Sequence, residues 1–64
     1  MRDPNRLYSF YEELRRIHME HFPELRCGQF IDIFSYWLSD KKNVDIFWPE
    51  ETDLLNYLRE FAGE

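Results

Sequence analysis

Residues 3–23, DPNRLYSFYEELRRIHMEHFP, decide that this chain is helical. Asp3 is a natural N-cap, and Pro4 sits at the first helical position, where its missing N–H costs nothing. Leu7, Phe10 or Tyr11, Leu14, Ile17 and His21 recur at three- and four-residue steps and make one apolar stripe. Glu12 faces Arg15 and Arg16, and Arg16 faces Glu20, at the spacing of helical neighbours; each such pair adds a few tenths of a kcal/mol at most, on the order of 0.3. Pro23 disfavours helical geometry at Phe22, so the spacing predicts a helix from about Pro4 to His21.

Outward from that helix, the apolar pattern continues in two further segments. A second helix is expected from about Arg26 to Leu38, with Phe30, Ile31, Phe34, Trp37 and Leu38 on its apolar face and Ile33 and Tyr36 flanking it. Gln29 stands three residues after Arg26, as the reciprocal partner of a capping box would, although arginine is a poor cap residue. Gly28 in the first turn costs up to about 1 kcal/mol relative to alanine and reads as a loosely specified helix start. The polar run Ser39-Asp40-Lys41-Lys42-Asn43 reads as a loop. Val44-Asp45-Ile46-Phe47-Trp48 is then expected to lie extended across the helices as an apolar lid. Pro49-Glu50-Glu51 opens a third helix, with acids near its positive end. Leu54, Leu55, Leu58, Phe61 and Ala62 form its buried stripe, and Gly63 is its stop. The expected fold is all-α: a compact three-helix domain, residues 1–64, with a short apolar extended connector between helices 2 and 3.

Sixty-four residues form one domain, and a chain this short buries only about 60% of the surface it exposes when unfolded. Cys27 is the only cysteine, which closes the disulfide route within the chain and suits a reducing compartment. No stretch approaches the roughly 18 apolar residues of a membrane span, and the N-terminus lacks the apolar run of a secretory signal; a cytoplasmic location is expected. The formal net charge is −5. Up to Cys27, Arg2, Arg6, Arg15, Arg16 and Arg26 offset Asp3, Glu12, Glu13, Glu20 and Glu24. Beyond Val44, Asp45, Glu50, Glu51, Asp53, Glu60 and Glu64 face only Arg59. Such a field repels phosphate backbones, so direct nucleic-acid binding is not expected.

Candidate chemistry is thin. His18 and His21 project from neighbouring helical turns, with Cys27 six residues on. Yet the spacing is neither H-E-x-x-H nor H-x-x-E-H, and no fourth ligand is in sight. Cys27 at a hydrophobic helix start reads as a small buried apolar residue and not as a nucleophile. Glu12-Glu13 and Glu50-Glu51 are adjacent in sequence, so on a helix their side chains diverge by about 100°. There is no phosphate-binding glycine loop, no G-x-S-x-G and no C-x-x-C. Neither a catalytic residue, a metal site nor a cofactor is expected.

The aromatic surplus says more. The chain holds six Phe, four Tyr and two Trp, with a dozen aliphatic residues beside them. A domain this small has too much surface to enclose them all. Exposed patches rich in these rings mark interfaces, and the expected interface residues are Phe34, Trp37, Ile46, Phe47, Trp48 and Tyr57. The plainer alternative keeps the tyrosines at the periphery with their hydroxyls in water.

Four short features carry a resemblance: Arg6-Leu7 opening the first helix, Phe22-Pro23-Glu24-Leu25 at the break, Gln29-Phe30-Ile31 starting the second, and Asp53-Leu54-Leu55 with Tyr57-Leu58 in the third. In these the chain resembles the small bacterial proteins typified by YihD, and Leu25-Arg26-Cys27-Gly28-Gln29 resembles their short phage relatives. The resemblance implies an all-α cytoplasmic protein and, since no activity is established for that family, no functional residues.

Two functional readings stand side by side. In the first, the domain is a protein-interaction module that buries its surplus rings by homodimerisation or on a foreign protein, a homo-oligomer being the expected form. In the second, it is a small acidic inhibitor, phage-encoded in one version, whose face of Asp45, Glu50, Glu51, Asp53 and Glu60 imitates a nucleic-acid backbone and blocks a basic groove on a host enzyme.

Overall fold

The computed structural model describes residues 2–64, which form three α-helices and no strand. The first, α1, spans Arg6–His21. The Asp3 carboxylate accepts the Asn5 N–H at 2.9 Å, and the Asp3 and Pro4 carbonyls accept the N–H groups of Arg6 and Leu7 at 3.2 and 3.1 Å. Asp3 thus caps the chain's entry, and a tight turn closed three residues back leads into the regular helix, which starts two residues later than Pro4. At the other end Phe22 swings to φ −135°, as the residue before Pro23 should, while its N–H still closes on the His18 carbonyl at 3.0 Å.

The second helix, α2, spans Cys27–Trp37. Gln29 Oε1 accepts the Arg26 N–H at 2.8 Å; arginine has no acceptor to return the bond, so only the glutamine half of a capping box exists. Open space surrounds the Cα of Gly28, so its lack of a side chain serves no close approach. The polar run expected as a loop is helical instead: Leu38–Lys42 wind one further, wider π turn. It ends where Asn43 takes the left-handed conformation at φ 56°, one that asparagine tolerates better than most residues. The N–H groups of Asn43 and Val44 both donate to the Leu38 carbonyl. The turn keeps Leu38 buried and carries Lys42 over the Trp37 ring, 5.7 Å from its centroid, and onto the Glu60 carboxylate. Those contacts give a polar segment a reason to stay coiled.

The third helix, α3, spans Glu51–Ala62, with Glu51 and Asp53 in its first turn. Gly63 stops it in left-handed geometry at φ 82°. The Gly63 N–H donates to the Glu60 carbonyl at 3.1 Å and the Glu64 N–H to the Arg59 carbonyl at 2.8 Å, the paired bonds of a Schellman motif.

The connector between α2 and α3 is a turn and not an extended strip. The Asp45 carbonyl accepts the Trp48 N–H at 3.1 Å, and Asp45 Oδ1 accepts the Phe47 N–H at 3.0 Å. An aspartate side chain that reaches two residues on in this way fixes a tight bend. Val44 and Ile46 pack on the core, so the lid exists, but it is two residues wide.

The core consists of Phe10 and Ile17 from α1, Phe30 and Phe34 from α2, Leu38 from the π turn and Leu58 from α3. Phe34, expected at an interface, is 1% exposed and belongs to this core. Around it runs a chain of rings: His18 stacks on Phe30 at 4.5 Å, Phe30 on Phe22 at 5.4 Å, and Phe22 on Phe61 at 5.0 Å. Phe61 meets Phe34 and Trp37, each at 5.4 Å. His21 lies at the rim and not on the apolar stripe, with Nε2 2.7 Å from Glu64 Oε2.

Ion pairs tie α1 to α3 along its length. Arg2 meets Glu50 and Arg6 meets Glu51, each at 2.6 Å. Arg16 forms two bonds with Glu13, two with Glu64 and one with Glu20, all between 2.8 and 2.9 Å, and Arg59 lies 3.4 Å from Glu13. Along α1 itself Glu12 pairs with Arg15 at 2.7 Å, while the partner Arg16 takes one turn back is Glu13 and not Glu12. Among the described residues no helix is long and apolar enough to cross a membrane.

Candidate functional site

Two adjacent and largely exposed rings are presented by the connector. Its bend alternates sides: Val44 and Ile46 face the core, and Phe47 and Trp48 face away, each 76% exposed. The two rings meet edge to face, with centroids 4.8 Å apart and planes at 79°, a favoured aromatic geometry. Asp45 fixes the bend on one side of them. On the other, Pro49 restricts the backbone at Trp48 and leads into α3. The rings are therefore presented by a short, hydrogen-bonded segment braced at both ends.

Trp48 also forms one wall of an open groove of about 480 Å³, together with Val44 and Pro49. The opposite wall is one face of α3: Asp53, Asn56, Tyr57 and Glu60, at three- and four-residue steps. Of the residues expected at the interface, this edge gathers Phe47, Trp48 and Tyr57. Ile46 and Trp37, also expected there, are half-buried and pack on the core instead, Trp37 against Phe34 and Phe61 with Lys42 over its ring. Phe34 is absent from the edge. Asn56 and Pro49 line the groove without having been expected there; the position of Asn56 three residues after Asp53 and four before Glu60 was the available signal for the first.

The expected acidic face is largely neutralised. Glu50 pairs with Arg2, Glu51 with Arg6 and Glu60 with Lys42. The Arg6 guanidinium beside Glu51 holds that carboxyl below the usual carboxylate range. Asp45 is engaged in the bend, and Asp53 has no cationic partner among the described residues. Glu50, Glu51 and Glu60 thus lie within a mixed-charge surface.

His18, His21 and Cys27 do not converge. His18 Nε2 is 2.7 Å from the Leu25 carbonyl, where it braces the turn between α1 and α2, and Cys27, expected to be buried, is exposed at the start of α2. His21 comes together instead with Glu20 and Glu64. Arg16 already bonds both of those carboxylates, so a guanidinium supplies the positive charge at that corner. Arg16 first and His21 second hold the Glu64 carboxyl down to about 2.

A second apolar surface lies on α1, where Pro4, Leu7, Tyr8, Tyr11, Glu12 and Arg15 line a groove of about 460 Å³. Tyr8, Tyr11 and Tyr36 are all exposed. Exposed tyrosines whose hydroxyls meet water are ordinary; adjacent exposed Phe and Trp rings, with one N–H between them, are not.

Comparison with protein-family models, curated proteins and solved structures gives no match.

Proposed function

We propose that this domain is a protein-interaction module and that the Phe47-Trp48 edge is its contact surface. The observation that carries the reading is that pair of rings, exposed side by side on a segment whose backbone is fixed by two hydrogen bonds to Asp45. Exposed rings held in place lose little conformational freedom on binding, which is why Trp and its neighbours so often anchor interfaces. A foreign partner is favoured over a second copy, because self-association at this edge would bring Asp45 and Asp53 towards their own counterparts. Imitation of a nucleic-acid backbone has weaker support, since Glu50, Glu51 and Glu60 are each already paired with a cation.

Affinity capture from a lysate, comparing the wild-type chain with a Phe47→Ala/Trp48→Ala variant, tests the reading. Both side chains lie outside the core, so the variant is expected to keep its helical circular dichroism and to lose the proteins the wild type retains. A folded variant that retains the same proteins would contradict it.

A further inference from the structure

Resting on that reading, we infer that the segment seated in the groove beside Trp48 is a cationic one, and that it docks by placing an arginine against the rings of Trp48 and Tyr57 with the Asp53 carboxylate as counter-charge. Both charged side chains lining the groove, Asp53 and Glu60, are acids, and no cationic side chain lines it. Glu60 is matched by Lys42, whereas Asp53 has no cation beside it among the described residues. A purely apolar partner would strip water from Asp53 and leave that charge unpaired, which is costly. An acidic segment or an anionic lipid surface would be repelled by it.

The molecule builds the same arrangement once for itself. At the edge of this groove the Lys42 ammonium stands over the Trp37 ring and reaches the Glu60 carboxylate. Trp48 and Asp53 offer the same two partners, a ring and a carboxylate, with the cation missing, and Tyr57 adds a second ring. Arginine suits the position better than lysine. Its guanidinium is planar and weakly hydrated, so it can stack on a ring while bonding a carboxylate in its plane. The groove is open along its length and of a volume that takes a few side chains, which suits a peptide segment crossing it.

The test is a titration of the full chain, followed by amide and indole NMR shifts at physiological salt, with three synthetic twelve-residue peptides of one design. They carry four arginines, four lysines or four glutamines at the same positions, between leucines and serines. The arginine peptide is expected to shift the Trp48 indole and the amides from Asp53 to Glu60, and to bind more tightly than the lysine peptide. The glutamine peptide should leave those signals in place. Asp53→Asn should weaken binding about fivefold, the scale of one partly exposed ion pair. Trp48→Ala should weaken it about tenfold, the scale of a cation–ring contact. Glu24→Gln, which removes an exposed acid from the turn between α1 and α2, should change it by less than about twofold.

Equal losses in Asp53→Asn and Glu24→Gln would overturn the inference, because they would mean diffuse attraction to a negative protein. So would equal shifts from the glutamine peptide, or no shift at Trp48 from the arginine peptide. If these peptides fail while Phe47→Ala/Trp48→Ala still abolishes capture from lysate, the interaction surface stands and only the cationic nature of its partner falls. If capture is unaffected by that variant, the interaction reading itself fails.

Discussion

Alanine at the two glycines is expected to move stability in opposite directions, although neither site has a neighbour that a Cβ would strike. Gly28 has ordinary helical geometry in the first turn of α2, so Gly28→Ala removes unfolded-state freedom at no steric cost and should stabilise by up to about 1 kcal/mol. Gly63 stands at φ 82°, where any L side chain is strained, and Gly63→Ala should destabilise by about 1 kcal/mol. Thermal melts of both variants against the wild type read the two signs directly. The same scale shows what residue types alone convey. The glycine stop at Gly63 was legible because it answers a local backbone demand, whereas Asp3 fixes only the turn ahead of α1, whose N-cap position falls to Asn5. That Asp45 bends the connector was not legible, because its side chain reaches the Phe47 N–H only once the chain has already turned.

At the scale of elements, Arg16 is the clasp between α1 and the end of α3. Its guanidinium holds Glu13 and Glu64 with two bonds each and Glu20 with one. Arg16 is also the first cause of the lowered titration of Glu13 and of Glu64, the latter reaching about 2 against an ordinary 4.5. A carboxyl depressed in the folded state contributes stability that is fully present above its unfolded value and is lost as pH falls through its folded value. Stability should therefore hold down to about pH 4.5 and decline from there towards pH 2. Arg16→Met should flatten that decline, as urea melts across this range would show; an unchanged acid limb would mean the clasp contributes nothing. These groups are solvent-accessible, so the effect is graded and salt-sensitive. The sequence suggested α1's own pairs because they sit three and four residues apart. It gave no hint of Arg6–Glu51 or Arg16–Glu64, whose members lie 45 and 48 residues apart. Likewise the run from Ser39 to Asn43 reads as a loop in its polar composition, yet its residues up to Lys42 stay coiled through contacts that Lys42 makes with Trp37 and Glu60.

Across the whole molecule, a few large side chains close a small core, and Phe34 lies at its centre against Phe61 and Trp37. Truncating a buried Phe to alanine typically costs about 3–5 kcal/mol, comparable to the entire stability of a domain this size. Phe34→Ala is expected to be largely unfolded at 25 °C by circular dichroism; a variant that melts cooperatively near the wild-type temperature would show that the core lies elsewhere. The helix count and the three apolar stripes were legible because periodicity reports which face turns inward. Which rings would remain outside was only partly legible. Phe34 and Phe47 are the same residue type in equally apolar surroundings, and only the bend at Asp45 sends one of them into water. The rings that the interior does not take are thus left outside in two ways, as the tyrosines Tyr8, Tyr11 and Tyr36 and as the adjacent pair Phe47 and Trp48. The most direct test of the edge that pair forms as the contact surface is acrylamide quenching of Trp48 fluorescence in a Trp37→Phe chain, free and then saturated with a purified protein that the wild type captures. Trp48 is expected to be strongly quenched when free and protected several-fold, with a blue-shifted emission, in the complex. Equal quenching in both states would contradict a contact at that edge.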